Sequence, residues 1–180
     1  MKAPLFAKES DRLKALAEYH ILDSAPEEAF DDLAKLASQI CGVPMALVTL
    51  IDKDRQWFKA NIGLGGTETP REQAFCAHAI LEPENLLIVP DATRDKRFAD
   101  NPSVLGDPNI RFYAGAPLLT PHGLPLGTLC VVDSQPRQLT PTQLYSLRIL
   151  SRQVSYLLEL RRVSRALAQA LDNTAQTGGS

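Results

Sequence analysis

The sequence predicts a single α+β domain, a mixed or antiparallel sheet with helices packed on it. Three observations lead there. Two pairs of apolar, β-rich runs are each joined by a short turn, and tightly joined strands run antiparallel. Segments with an apolar stripe at helical spacing follow helix-start signals both before and after these strands. The chain has 180 residues, enough for one such domain and a helical extension but not for two independent cores.

Residues 11–19 open the pattern, with Leu13 and Leu16 at helical spacing. Ser24 and Glu27 stand in capping-box register with Pro26 in the first turn, so a second helix is expected from there. Phe30, Leu33, Leu36, Ala37 and Ile40 form its apolar stripe and Gly42 its stop. Residues 45–52 (MALVTLID) are near-continuously apolar, as in a central strand covered on both faces. After a turn at 52–55, QWFKAN at 56–61 is the return strand. The glycine-rich stretch 63–72 is a loop, 74–81 (AFCAHAIL) a short helix ended by Pro83, and 86–89 a short strand. Residues 90–108 read as irregular, with at most one helical turn near 94–99. Residues 110–118 and 126–133 form the second hairpin around Pro121-His122-Gly123.

The last helix has the clearest start, because Thr140 and Gln143 repeat the capping-box spacing with Pro141 at the first helical position. Leu147, Val154, Arg161 and Ala168 make one heptad column, and Leu150, Leu157, Ser164 and Leu171 the other. A helix of about thirty residues outreaches one small sheet, so its far end is expected to meet a partner helix in a homodimer. The division expected is an N-terminal helical segment at 1–23, the domain at 24–160, a helix extension at 161–173 and a disordered tail at 174–180.

An apolar fraction of 44% and a charged fraction of 22% are those of a folded protein. The net charge of −2 gives no electrostatic basis for binding nucleic acid, and Arg161, Arg162 and Arg165 read as a solvated helix face. The first eight residues lack the apolar core of a signal peptide, and no apolar stretch is long enough to span a bilayer. Cys41, Cys76 and Cys130 are odd in number and widely spaced, which fits a reducing compartment; a cytoplasmic location is expected.

The blocks ILDSAPEEAFDDLAKLA, ALVTLID with RQWFKANIGL, TPREQAFCAHAI, VPDATRDKRFADNP, RFYAGAPL and GTLCVVDSQPRQLT occur in this order. Together they resemble the GAF domain family, in the branch found beside histidine kinases and cyclic-dinucleotide enzymes in bacteria. The resemblance covers roughly residues 13–160. It implies a central antiparallel sheet, with helices from both chain ends on one face and a ligand pocket over the other. Members bind cyclic nucleotides, bilins, haem, small metabolites or nothing known, and a small group reduces free methionine sulfoxide, so the family does not name a ligand or cofactor.

Cys76 and His78 invite a metal or chromophore reading. In bilin-binding relatives, however, the attaching Cys directly precedes a His, whereas Ala77 stands between them here, and zinc needs about four ligands. Cys41 and Cys130 read as core residues, and no cysteine has a sequence setting that lowers a thiol pKa. Asp91, Asp95 and Asp100 lack the spacing of a calcium loop; Asp91 and Asp95 read as turn and cap residues, with Arg97 a natural partner to one of them. No Ser, His and Asp arrangement and no phosphate loop is present, so no catalysis is expected.

The candidate ligand-binding set is Trp57, Phe75, Cys76, His78, Asp91, Arg97, Arg111 and Tyr113, aromatics with a few polar groups. Strand alternation forbids Trp57 and Phe58, or Phe112 and Tyr113, from sharing a face. The pocket is expected over the sheet face covered by residues 74–108, with Tyr113, Arg97, Asp91 and His78 as its polar wall. The reading that follows is a small-molecule sensory module signalling through its terminal helices, acting on a partner in trans or as part of a longer chain. The alternatives are an interaction domain with a vestigial pocket, and a cysteine-dependent methionine sulfoxide reductase.

Overall fold

The apolar run at the centre of the sequence becomes the centre of the sheet. In the computed structural model, which describes residues 2–177, β1 (Met45–Ile51) is buried at every position. It pairs antiparallel with β2 (Arg55–Ile62) on one side and β6 (Pro125–Asp133) on the other. Coverage on both faces explains why its sequence does not alternate. β3 (Glu68–Pro70) extends the sheet beyond β2, while β5 (Phe112–Leu119) and β4 (Leu87–Val89) extend it beyond β6. The order is β3-β2-β1-β6-β5-β4, every neighbour antiparallel, as the α+β class requires.

α2 (Glu28–Cys41) and α5 (Pro141–Thr177) pack on one face, with α1 (Glu9–Glu18) alongside. α2 turns Phe30, Ala34, Ala37 and Cys41 to the sheet, so the expected stripe is rotated: Leu36 and Ile40 are exposed. The two alanines let the helix approach the sheet closely, and Gly42 ends it in the left-handed conformation.

The two helix-start signals fare differently. At α5 the capping box forms in full: Thr140 N donates to Gln143 Oε1 at 2.9 Å and Gln143 N to Thr140 Oγ1 at 3.2 Å. At α2 it does not form, and the helix begins only after Glu27, with no side-chain cap. The cause is Lys59. The β1–β2 register passes from Thr49↔Phe58 to Val48↔Ala60, which leaves Lys59 as the extra residue of a β-bulge, turned toward the helices. Its fully buried ammonium donates to Ser24 Oγ (2.9 Å), Ala25 O (2.6 Å) and Glu27 Oε1 (2.7 Å). A buried charge must be partnered, so residues 24–27 wrap around it instead of starting a helix.

Arg161 departs from the solvated face expected of it. It bonds Glu27 at 2.8 Å and the carbonyls of Tyr19 and His20 at 3.0 Å each, tying α5 to the chain before α2. α5 buries Leu147, Leu150, Val154 and Leu158 against the sheet. Tyr156, Leu160, Val163, Leu167 and Leu171 form an exposed apolar stripe that shares only Leu171 with the two expected heptad columns. The helix continues through Thr177, so residues 174–177 of the expected tail are helical; 178–180 lie outside the described residues. Among the described residues no helix is long and apolar enough to cross a membrane.

The other sheet face is covered by α3 (Phe75–Ala79), a 3-10 turn at Ala92–Arg94, α4 (Pro102–Leu105) and the chain between them. Two short turns thus replace the single one expected near 94–99. Asn101 caps α4 through Ser103 N (2.9 Å) and donates to Gln73 O (2.8 Å), which fastens this cover to the loop before α3.

Candidate functional site

Strand alternation sets out the site. On β1, Leu47 and Thr49 face α3; so do Phe58 on β2, Tyr113 on β5, and Thr128, Cys130 and Val132 on β6. Between these side chains and the cover lies a cavity of about 450 Å³, the expected position for a pocket. Its walls are apolar at Leu47, Phe58, Leu64, Phe75, Ile110 and Val132, and uncharged polar at Thr49, Gln56, Thr69, Gln73, Ser103 and Tyr113. Among the described residues Asp107 is its one charged lining residue, and no Lys, Arg or His lines it.

The polar groups concentrate where β1, β6 and β5 pass under α3. Thr49 and Thr128 are direct cross-strand partners with hydroxyls 3.2 Å apart, and Gly115 is the partner of Cys130. Thr128 Oγ1 donates to Cys76 Sγ at 3.0 Å and Tyr113 Oη does so at 3.2 Å; Cys76 Sγ and Cys130 Sγ are 3.9 Å apart. A Cβ at Gly115 would stand 2.1 Å from Tyr113 Oη, so only glycine lets the phenol lie along the sheet and reach the sulfur. Burial pushes the Tyr113 hydroxyl well above its usual range, and the neighbouring Cys76 adds to this. Burial also raises the Cys76 thiol, but hydrogen bonding with Cys130, Thr128, Thr49 and Tyr113 outweighs it and brings it down to about 7. Cys130 is pushed well above the usual thiol range by its bond to Cys76 and by burial.

At the β2 side Gln56 is buried. Its Nε2 donates to Thr69 Oγ1 at 3.1 Å, while its Oε1 has no partner among the described residues. A buried acceptor left unpaired costs about 1–3 kcal/mol, so this amide is poised to receive a donor from a guest.

The expected site residues divide. Phe75, Cys76 and Tyr113 line the cavity, with Phe75 stacked on Phe98 at 4.1 Å between ring centroids. Trp57 faces the helices, as alternation with Phe58 demands. Asp91 caps the turn at 92–94, accepting from Thr93 N (3.1 Å) and Thr93 Oγ1 (2.7 Å), and its carboxyl is held low first by that hydroxyl. Arg111 donates to the carbonyls of Val104 (2.8 Å) and Ile110 (3.1 Å), clasping the chain after α4. Arg97 pairs with Asp95 at 2.6 Å and lies over the Phe98 ring; His78 meets that ring edge-on. His78 and Arg97 share a separate depression of about 290 Å³ with no lining residue in common with the cavity. The expected polar wall of His78, Asp91, Arg97 and Tyr113 is therefore not assembled, and Tyr113 alone of the four reaches the cavity.

Thr49, Gln56, Thr128 and Gly115 escaped the sequence reading. Their signal was a polar or glycine residue inside an otherwise apolar strand, which marks the face where something other than packing occurs.

The family model described as GAF domain matches residues 25–158. The chain belongs to the GAF domain family. It is 46% identical over 129 residues to a cyclic di-GMP phosphodiesterase of Pseudomonas aeruginosa; the matched stretch is 72% of this chain and 22% of that protein. The GAF domain of an Acinetobacter phosphoenolpyruvate-protein phosphotransferase superposes with a TM-score of 0.64 at 18% identity, covering 88% of this chain and 97% of that one. The blue-light-absorbing form of the PixJ GAF domain of Thermosynechococcus elongatus also reaches 0.64, at 15% identity over 91% and 96% of the two chains. These two likenesses show the shared fold.

This GAF domain has a second hollow of about 430 Å³, on the helix side between α5 and the stretch of β5 that β4 does not cover. Two of its polar side chains are engaged: Ser155 Oγ accepts from Leu119 N at 3.1 Å, and Arg148 donates to Glu84 O at 3.1 Å. No unpartnered buried atom points into it among the described residues, and that separates it from the cavity under α3. No group of three or more His, Cys, Asp or Glu able to hold a metal is found among the described residues.

Proposed function

We propose that this GAF domain is a sensory module whose cavity under α3 takes a small, uncharged ligand carrying a hydrogen-bond donor. The observation that carries the reading is the unpartnered Gln56 Oε1 on the wall of a cavity of about 450 Å³. That volume lies within the usual range for small-molecule sites, about 300–1,000 Å³. The absence of any cation from the lining and the presence of Asp107 weigh against an anion, since an anion in a largely apolar site needs a charged or multiply donating partner. The cavity is thus a poor match for a cyclic dinucleotide, although the P. aeruginosa relative is a cyclic di-GMP phosphodiesterase. We read that enzyme class, or a histidine kinase, as the output partner, with the cytoplasm as the shared compartment. The module works by occupancy and not by turnover.

Signalling is proposed to run from α3 and the strands beneath it to α5, which packs across the opposite face of β5 and β6. The exposed stripe of Tyr156, Leu160, Val163, Leu167 and Leu171 supports pairing with α5 of a second copy. Leu160→Glu with Leu167→Glu should leave a folded monomer in sedimentation while the wild type is dimeric.

Native mass spectrometry of freshly purified protein tests the binding reading, followed by thermal melts with uncharged purines, pyrimidines and carboxamides against cyclic di-GMP. A retained or stabilising uncharged compound, lost in Gln56→Leu, is expected. Stabilisation by cyclic di-GMP alone would refute the ligand class, and methionine sulfoxide turnover would refute the non-enzymatic reading.

A further inference from the structure

Two of the three cysteines, distant in sequence, meet at the cavity wall. Cys76 sits in α3 and Cys130 in β6, and both are almost fully buried from outside yet line the cavity. Their sulfurs are in direct contact, 3.9 Å apart. Around Cys76 the site is built for negative charge on sulfur: the Tyr113 and Thr128 hydroxyls point at it, and Thr49 stands behind Thr128. Gly115, directly opposite Cys130, is what gives the Tyr113 phenol room to do this. Cys41, by contrast, packs among α2 and the helix-side core, and burial alone pushes its thiol up to about 11.

We propose that Cys76 and Cys130 form a redox-active dithiol that a hydroperoxide entering the cavity converts to a disulfide. The Cys76 thiolate attacks the distal peroxide oxygen, the O–O bond breaks, and the alkoxide or hydroxide leaves and takes up the proton given up by the Cys76 thiol. Cys76 is then a sulfenic acid. Cys130 sulfur attacks the Cys76 sulfur, the S–O bond breaks, and hydroxide leaves with the Cys130 proton as water. In sum, two thiols lose two electrons to one hydroperoxide, giving one disulfide, one alcohol or water, and one water. A dithiol reductant reverses the change by exchange.

The depressed Cys76 pKa supports the order of attack, because the thiolate is the nucleophile and Cys130 keeps its proton until the second step. Bond formation must draw α3 and β6 together across the cavity, since a disulfide holds its sulfurs at about 2.05 Å. The state of the pair would therefore be sensed by whatever occupies the cavity.

The test exposes the full chain to stoichiometric hydrogen peroxide at neutral pH, then counts thiols under denaturing conditions and maps peptides without reduction. The expected result is a fall from three free thiols to one, with the Cys76 and Cys130 peptides linked and Cys41 still reactive. In Cys130→Ser the reaction should stop at Cys76, captured by a sulfenic-acid reagent such as dimedone. In Tyr113→Phe the oxidation should slow by about tenfold while a dithiol still reverses it. Retention of all three thiols, linkage through Cys41, or links only between two chains would overturn the proposal. If Cys130→Ser does not fold, the wild-type peptide map decides alone.

Discussion

The two faces of the sheet solve opposite problems. On the helix face the buried cations Arg12 and Lys59 are matched. Arg12, with no exposed surface, donates to Ile51 O at 2.6 Å and to Glu9 at 2.6 and 3.0 Å; Lys59 is held by three acceptors; and Phe30, Leu50, Leu118 and Val154 are buried among the helices and strands. On the α3 face the same strands leave a cavity, and around it stand an amide oxygen with no partner, two adjacent thiols and a phenol aimed at sulfur. A fold can leave polar groups underused on one face when the other holds it together. Removing a buried polar side chain should therefore act in opposite senses on the two faces.

The largest effect belongs to the helix face. Arg12→Ala should lower stability by about 3–5 kcal/mol, because it strips a partner from Glu9 and from the Ile51 carbonyl inside the protein. Urea unfolding measures this, and a loss under about 1 kcal/mol would mean that water replaces the guanidinium and that the faces differ less than the packing indicates.

Gly115→Ala probes the border of the cavity. The new methyl would meet Tyr113 Oη and displace the ring, at a cost of about 1–3 kcal/mol from overpacking. Tyr113→Phe in the same background should recover part of that loss, since it removes the nearest of three clashing atoms and leaves ring carbons at 2.6 and 2.9 Å; no recovery would place the strain on the ring itself.

Gln56→Leu should reverse the sign. It gives up the bond to Thr69 but removes the orphaned oxygen, so the unliganded protein should gain about 1 kcal/mol or stay level. Any ligand-induced rise in Tm should vanish with it, as linkage requires of a variant that no longer binds. A Gln56→Leu protein clearly less stable than wild type would show that the amide is structural.

The last contrast is in acid. Burial raises the Glu9 carboxyl, but the guanidinium groups of Arg12 and Arg71 outweigh it and hold it at about 2. Because the folded value is depressed, Glu9 contributes stability above the unfolded carboxylate range, about 4.3, and loses it as pH falls toward 2. Urea midpoints should drop over that interval in the wild type and drop less in Arg12→Ala, where Glu9 keeps only Arg71. Parallel profiles would assign the acid sensitivity to other carboxylates.

Much of the scaffold was legible because it depends on local rules. The capping box at Thr140, the stop at Gly42, both hairpins and the division of Trp57 from Phe58 each follow from short-range geometry. The site was legible in outline only. Phe75, Cys76 and Tyr113 were found because aromatic and thiol side chains in a cover segment and its facing strand are rare enough to notice. Asp91, Arg97 and Arg111 were misleading because charged residues in irregular chain serve two purposes that look alike in sequence. There they fasten turns and carbonyls, as the Thr93, Asp95 and Val104 bonds show.

By itself the sequence determined the α+β class, the GAF membership, the order of elements and the face on which a pocket lies. Periodicity and turn chemistry act between residues near in the chain and so are written there. Only the tertiary structure decided which side chains meet. The bulge that turns Lys59 inward cancels the α2 capping box, and the pairing of Gly115 with Cys130 seats the Tyr113 phenol. The crossing of α3 over β6 brings Cys76 to Cys130 across 54 positions of sequence. Such contacts are set by register and packing between distant segments, and no local pattern encodes a register until the strands have paired.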